Sequence, residues 1–267
     1  MSKLINDNRF YRNGQDHRGG WIVTFADVKK RFGFKSLKIG KWVTAKEKEF
    51  AAAQFFDALC DLQSILQSPE LLLSLRETLS LNYGTGGQYG VMAHYEPSSQ
   101  TFALAKNAGP GAIAHEWFHA FDHYIQDKFV HKSDQKIFAS DSYWHGATIV
   151  DHPLNEKLAR CFDTIFYKNE QADLTEYVLV SQKADQEQGQ HYYCLPYELA
   201  ARAFEAFVQD AHIKNNFLAS GTKKSKEALN GLYPQGEHRL RINQAFSEYF
   251  HHLSFVLYNR ERANADQ

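Results

Sequence analysis

Cysteine is scarce. The 267-residue chain holds three, Cys60, Cys161 and Cys194, too few and too scattered for a disulfide framework or a cysteine-type zinc site. Three such residues suit a reducing compartment, as small buried side chains. No run of about 18 apolar residues exists, so no membrane-spanning helix is expected. The opening M-S-K-L-I-N-D-N-R-F-Y-R lacks the apolar core of a secretory signal, and a soluble cytoplasmic protein is expected. An excess of charge is also missing. Thirty basic and 31 acidic residues leave a formal charge of -1, so no field of one sign draws the chain to nucleic acid or an anionic membrane. There is no internal repeat and no low-complexity tract. The glycine-rich N-Y-G-T-G-G-Q-Y-G lacks the G-K-[ST] ending of a phosphate loop.

Apolar mass is plentiful: 43% of residues are hydrophobic and 14% aromatic, enough for the core of one large domain. Residues 1–20 read as a flexible polar lead and residues 21–80 as a helical part. Residues 81–130 read as a sheet and a motif-bearing helix, and residues 131–267 as a second helical part. Within this frame Thr24 caps a short helix stopped by Gly33. S-L-K-I-G-K-W-V-T alternates like a strand. Phe50, Ala53, Phe56, Leu59, Leu62 and Leu66 recur at helical spacing from about Lys46 to Leu66. A short helix is expected over residues 69–79. V-M-A-H-Y and T-F-A-L-A flank the turn-rich E-P-S-S-Q as a hairpin, and Pro110 is placed to open a helix over about residues 110–129. Residues 130–153 read as irregular and 154–168 as a helix. Residues 173–190 end in a polar loop, Pro196 starts a further helix, and the last helix covers about residues 237–259. The fold class is α+β, helix-rich with a small sheet before the central helix.

That central helix carries G-A-I-A-H-E-W-F-H-A-F-D-H-Y-I, residues 111–125. Residues i and i+4 share a helix face, so His115 and His119 present two imidazoles to one point, at a spacing a zinc ion accepts. Glu116 sits roughly 100° round the helix, poorly placed as a ligand beside both histidines but able to take a proton from a metal-bound water. This is the H-E-x-x-H arrangement of zinc metallopeptidases. With this composition, chance gives about 0.04 such motifs in the chain, so context decides. Here the motif lies mid-helix among Ile113, Trp117, Phe118 and Phe121, just after a hairpin. The competing reading is a partly buried helix whose histidines are satisfied by hydrogen bonds. Asp122, three residues after His119, has the chemistry to accept the other N–H of a metal-bound histidine; an ion pair or loop anchor is its alternative.

The third ligand lies elsewhere. His123 is a further turn along, about 6 Å from His119 and about 12 Å from His115 by helix rise, too far for one ion to hold all three. It reads as a cleft residue or a supporting histidine. The H-E-x-x-H-x-x-G-x-x-H pattern fails, because Asp122 stands at its glycine and Ile125 at its last histidine. The helix P-Y-E-L-A-A-R-A-F-E-A-F offers Glu198 and Glu205, seven apart and so on one face, with Arg202 between them. Glu198 is favoured as the ligand, completing a His₂Glu site. Glu205 is expected as a supporting carboxylate or the partner of Arg202. A surface array of salt bridges is the alternative for both. A peptidase also needs a donor for the oxyanion at the attacked carbonyl. His191, Tyr192 and Tyr193 precede the Glu198 helix, and Tyr193 is the expected catalytic member.

L-S-L-N-Y-G-T-G-G, A-H-Y-E-P, G-A-I-A-H-E-W-F-H-A-F-D and E-L-A-A-R-A-F-E-A-F, in that order, resemble the metallopeptidase-like large polyvalent protein-associated domain 1 of phages, mobile elements and bacteria. The resemblance spans roughly residues 20–255. It implies a zincin-like fold and a zinc site, with substrates left open. H-E-W-F-H-A-F-D further resembles the H-E-x-x-H-x-F-D of neprilysin-like peptidases, which implies a role for Asp122 behind a zinc histidine. E-L-A-A-R-A-F resembles the ligand helix of small peptidases that cleave phage-type repressors, which implies Glu198 as third ligand. One departure stands out: G-T-G-G-Q occupies the place of an arginine-bearing G-A-R-G.

The expectation is therefore a zinc-dependent metallopeptidase acting on a protein or peptide. Zn²⁺ is held by His115, His119 and Glu198, and Glu116 activates water. Asp122, Glu205, Arg202 and His123 stand behind the site. A catalytically silent module of the same fold, binding a protein partner, is the rival. Neither substrate nor oligomeric state is legible in the sequence.

Overall fold

The computed structural model describes residues 10–86, 93–106, 108–132, 136–168 and 173–265. The first of these do not form a flexible lead. Asp61 is fully buried and accepts hydrogen bonds from Arg12 Nε at 2.6 Å, Arg12 Nη2 at 2.7 Å and Asn215 Nδ2 at 2.8 Å, with His17 Nε2 at 2.9 Å. Arg18 reaches the neighbouring buried Asp57 at 3.1 Å. Arg12 also forms a bridge with Asn215. A carboxylate taken out of water must be matched by donors, and the polar residues read as a loose lead are those donors. Residues 1–9 lie outside the described residues.

Helix α1 (Phe25–Phe32) starts at a Thr24–Asp27 capping box and ends at Gly33. Strand β1 (Leu37–Ile39) follows, then α2 (Ala45–Leu66), capped by Thr44 and Glu47. The helix expected over residues 69–79 shrinks to a 3₁₀ turn at Glu70–Leu72, because Leu75, Arg76 and Glu77 take positive φ in succession and a right-handed helix cannot pass through them. Strands β2 (Ser80–Tyr83), β3 (Ala93–Glu96) and β4 (Thr101–Leu104) join β1 in a mixed sheet of order β1-β2-β4-β3. The β3–β4 hairpin is antiparallel with Tyr95 opposite Phe102, and the other two pairings are parallel. β3 is therefore an edge. β2 runs into the glycine-rich stretch, whose residues 87–90 lie outside the described residues.

Helix α3 (Ala112–Phe129) carries the motif. Its N-cap is Gly111 rather than Pro110, at a φ of 83° that suits glycine. A Cβ there would also meet the backbone of Ser220 at 3.0 Å. No side chain caps this end. Instead Gly111 N–H donates to Asn216 and Ala114 N–H to Leu218, so the loop held by Asp61 and Asn215 also satisfies the start of the motif helix.

A short α4 (Ala139–Trp144) interrupts the stretch read as irregular, and α5 is Pro153–Phe166. α6 (Glu176–Gln188) runs through the stretch read as a polar loop, from a Thr175 cap to Gly189. α7 (Pro196–Asp210), a short α8 (Lys226–Leu229) and the long α9 (Gly236–Ala265) complete the chain. The architecture is α+β. The back of α3 packs on α7 and α9 through aromatic rings: Trp117 stacks on Phe121 at 5.5 Å, Phe118 on Phe204 at 4.8 Å, and Phe204 meets Phe246 at 5.6 Å. Such pairs add to the burial of the rings themselves. The same pairing brings the neighbouring side of α3, with its histidines, against the first turn of α7. Among the described residues, no helix is long and apolar enough to cross a membrane.

Candidate metal centre

His115 and His119 sit on consecutive turns of α3 with ring centroids 4.7 Å apart and Nε2 atoms 3.0 Å apart. Pro196 opens α7 and places Glu198 in its first turn. Glu198 Oε2 lies 3.3 Å from His115 Nε2, and Oε1 lies 3.4 Å from His119 Nε2. Three donor atoms from three side chains thus converge. The carboxylate contacts are long for charge-assisted hydrogen bonds, which run at about 2.7–2.9 Å. Glu198 Oε2 and His119 Nδ1 are buried without a hydrogen-bond partner. The Nε2–Nε2 spacing of 3.0 Å and the His115 Nε2–Glu198 Oε2 spacing of 3.3 Å are close to the tetrahedron edge of about 3.3 Å set by zinc bonds of about 2.0–2.1 Å to imidazole or carboxylate. Donor chemistry, spacing and the orphaned Glu198 oxygen all fit that ion.

The electrostatics are tightly coupled. Burial lowers the His115 pKa, but hydrogen bonding to Glu198 and Glu205 and the charges of Glu198 and Glu116 outweigh it, and the ring is held up to about 10. Burial raises Glu198, but the two histidines prevail and hold it well below the ordinary carboxylate range. Glu205 Oε2 lies 3.7 Å from His115 Nδ1 and accepts from the Tyr233 hydroxyl at 2.8 Å. Glu205 therefore stands behind His115, as one of its two expected roles required. Arg202 pairs with neither glutamate. Its donors go to the backbone carbonyls of Glu198, Leu232 and Tyr193, so it ties the start of α7 to two loops.

Glu116 Oε2 accepts from the Tyr95 N–H of edge strand β3 at 2.7 Å. His123 is outside the donor group, as helix rise requires, and its Nδ1 contacts the Tyr95 hydroxyl at 2.6 Å. Burial pushes the His123 ring down, which favours a neutral imidazole. Asp122 is fully buried one helix turn from His119, but it does not bond to it. Its oxygens accept from Ser140 N–H at 2.9 Å and Ser140 Oγ at 2.5 Å, in the first turn of α4. The expected hydrogen bond behind a zinc histidine is replaced by an anchor for α4. Burial lifts this carboxyl to about 6 despite Ser140.

The Tyr193 ring lies against the Arg202 guanidinium at 5.3 Å. Tyr192 is part exposed, and burial of the rest of the ring, then the nearby Glu198, raise the pKa of its phenol. Asp185 fixes their turn by accepting from the consecutive N–H groups of Tyr192, Tyr193 and Cys194 at 2.9–3.1 Å. Asp185 also lies in a second group with His191 and Cys194, but its oxygens are already engaged by those three donors.

No curated protein and no solved structure matches the chain. The matched family model covers the C-terminal part, from the end of α6 through Glu198, Arg202, Glu205 and Tyr233 into α9; the H-E-x-x-H helix lies outside it. Residues 184–256 match the model of the family described as large polyvalent protein-associated domain 1.

Proposed function

We propose that this chain is a zinc-dependent metallopeptidase on a zincin-like fold, with His115, His119 and Glu198 as the ligands. The observation that carries the reading is the convergence of those three donors beside a carboxylate on the same helix. Zinc held there supplies a Lewis acid and a water of lowered pKa. Glu116 is the base that takes the proton from the attacking water. The Tyr95 N–H keeps one of its oxygens in place, leaving the other for that task. Tyr192, near Glu198, joins Tyr193 as a candidate donor to the developing oxyanion. Glu205, backed by Tyr233, steadies His115 through Nδ1. The substrate class is a protein or peptide, and the unpaired cysteines suit a cytoplasmic setting.

Bound metal in the purified protein, and hydrolysis of a quenched-fluorescent peptide library with and without Glu116→Gln, test this reading. Stoichiometric zinc, turnover in the parent and none in the zinc-retaining variant are expected. A protein that takes up no zinc sinks the site. A zinc-loaded protein whose cellular effect survives Glu116→Gln is the silent binding module instead.

A further inference from the structure

We infer that Tyr95 and His123 form a clasp that positions Glu116, a role that rests on the hydrolytic reading above for its purpose but not for its geometry. β3 is four residues long and bonded to the sheet on one side only. Its Tyr95 N–H points off that edge to Glu116 Oε2 at 2.7 Å. The β4 pairing fixes the register of β3, and the Tyr95 N–H is its first attachment to α3. The second attachment is the Tyr95 hydroxyl on His123 Nδ1 at 2.6 Å. Glu116 and His123 are seven residues apart, so they share a face of α3, about 10 Å apart along its axis. One tyrosine therefore grips the helix at two points, by its backbone and by its side chain.

The far end of the clasp is itself backed. The His123 ring meets Phe138 at 6.1 Å, and Phe138 packs on Tyr197 at 4.7 Å and on His119 at 5.8 Å. His123 is thus braced by the rings that brace a metal ligand, and its Nδ1 is set for the Tyr95 hydroxyl. With both ends held, the Tyr95 N–H has one direction, and Glu116 is oriented by a rigid donor rather than by a mobile edge. His123 is in this sense a positioning residue, acting on Glu116 through Tyr95. This accounts for a third histidine on the motif helix that is too far along to bind the ion.

The test uses the full-length, zinc-loaded protein with His123→Leu, His123→Asn, Tyr95→Phe and Glu116→Ala. Leucine removes the acceptor, asparagine restores one near the Nδ1 position, and Tyr95→Phe removes the hydroxyl while keeping the N–H. The first readout is hydrogen exchange at the Tyr95 amide, which needs no activity. Exchange is expected to be slow in the parent and at least tenfold faster in Glu116→Ala, His123→Leu and Tyr95→Phe, with β4 amides unchanged. His123→Asn should stay near the parent. The second readout is turnover of a quenched-fluorescent peptide selected from a random library. His123→Leu should lower kcat at least tenfold with KM and zinc affinity within twofold, and His123→Asn should recover kcat. Unchanged Tyr95 exchange in His123→Leu overturns the clasp whatever the activity. Intact protection changes with no Glu116-dependent turnover keep the clasp and reject the hydrolytic reading.

Discussion

Zinc entering the proposed site is expected to displace a proton. In the metal-free protein the His115 ring is held up to about 10, because Glu198, Glu205 and Glu116 outweigh the effect of burial. A metal ligand has to be the neutral imidazole. Between about pH 6.5 and 10, each zinc bound should therefore release one proton from His115. The apparent association constant should rise tenfold per pH unit, about 30-fold from pH 6.5 to 8. At pH 7 it should stand well below its alkaline plateau, because the carboxylates hold the His115 ring above the ordinary imidazole range. Competition against a chromogenic chelator of known proton affinity measures the slope. Calorimetry in two buffers of different ionisation enthalpy counts the protons. An affinity independent of pH, with no proton released, would refute the reasoning: His115 would then already be neutral, and the carboxylates around it would not act as described.

Glu205→Gln weakens the negative partner behind His115 and should lower zinc affinity about 10- to 100-fold on the alkaline plateau, where His115 is neutral in both proteins, measured by the same competition; an unchanged plateau affinity rejects its supporting role. Asp122→Asn should flatten the acid side of the stability curve of the metal-free protein. The carboxyl sits at about 6 when folded, raised by burial above its ordinary 3.8. Folding thus favours its protonated form, and its contribution to stability falls as pH rises from about 4 to 6, by at most about 3 kcal/mol. Denaturant unfolding of both proteins at pH 4, 5, 6 and 7 checks this, and a parent-to-variant difference that stays constant contradicts it. Asp61→Ala strips the partner from Arg12, His17 and Asn215. Breaking a buried pair costs about 3–5 kcal/mol, and the low end is expected because Arg12 and His17 keep some solvent access. Tm should fall by roughly 6–12 °C in a thermal scan; a fall under about 2 °C would mean that the N-terminal residues contribute nothing to the fold.

Features set by neighbours in the chain were legible. Thr24 and Gly33 bound α1 as expected, the alternating segments around E-P-S-S-Q form the β3–β4 hairpin, and Pro196 opens α7. Each depends on local sterics or on hydrogen bonds within a few residues. The misreadings share a different cause. K-A-D-Q-E-Q looked like a loop because it is polar, yet it is the last part of α6, held there by a Thr175 cap and a left-handed Gly189. The failed helix after Pro69 depends on three residues with positive φ, which composition does not announce. Residues 10–18 looked loose because their binding partners, Asp57 and Asp61, lie on α2.

The sequence by itself determined that His115 and His119 share a helix face with Glu116 beside them, and that His123 is a turn too far. Helix geometry leaves no other arrangement. It also favoured Glu198 over Glu205, seven residues apart on one face, as the missing ligand. Only the tertiary structure brings Glu198 to the two Nε2 atoms and Glu205 to Nδ1 of His115. The ring contacts of Trp117, Phe118 and Phe204 set α3 against α7 so that the first turn of α7, and not the third, meets both Nε2 atoms. The same packing gives Asp122 to Ser140 and Arg202 to backbone carbonyls. Each of these depends on where a partner distant in sequence comes to rest, and that position follows from packing the whole core at once rather than from any local pattern.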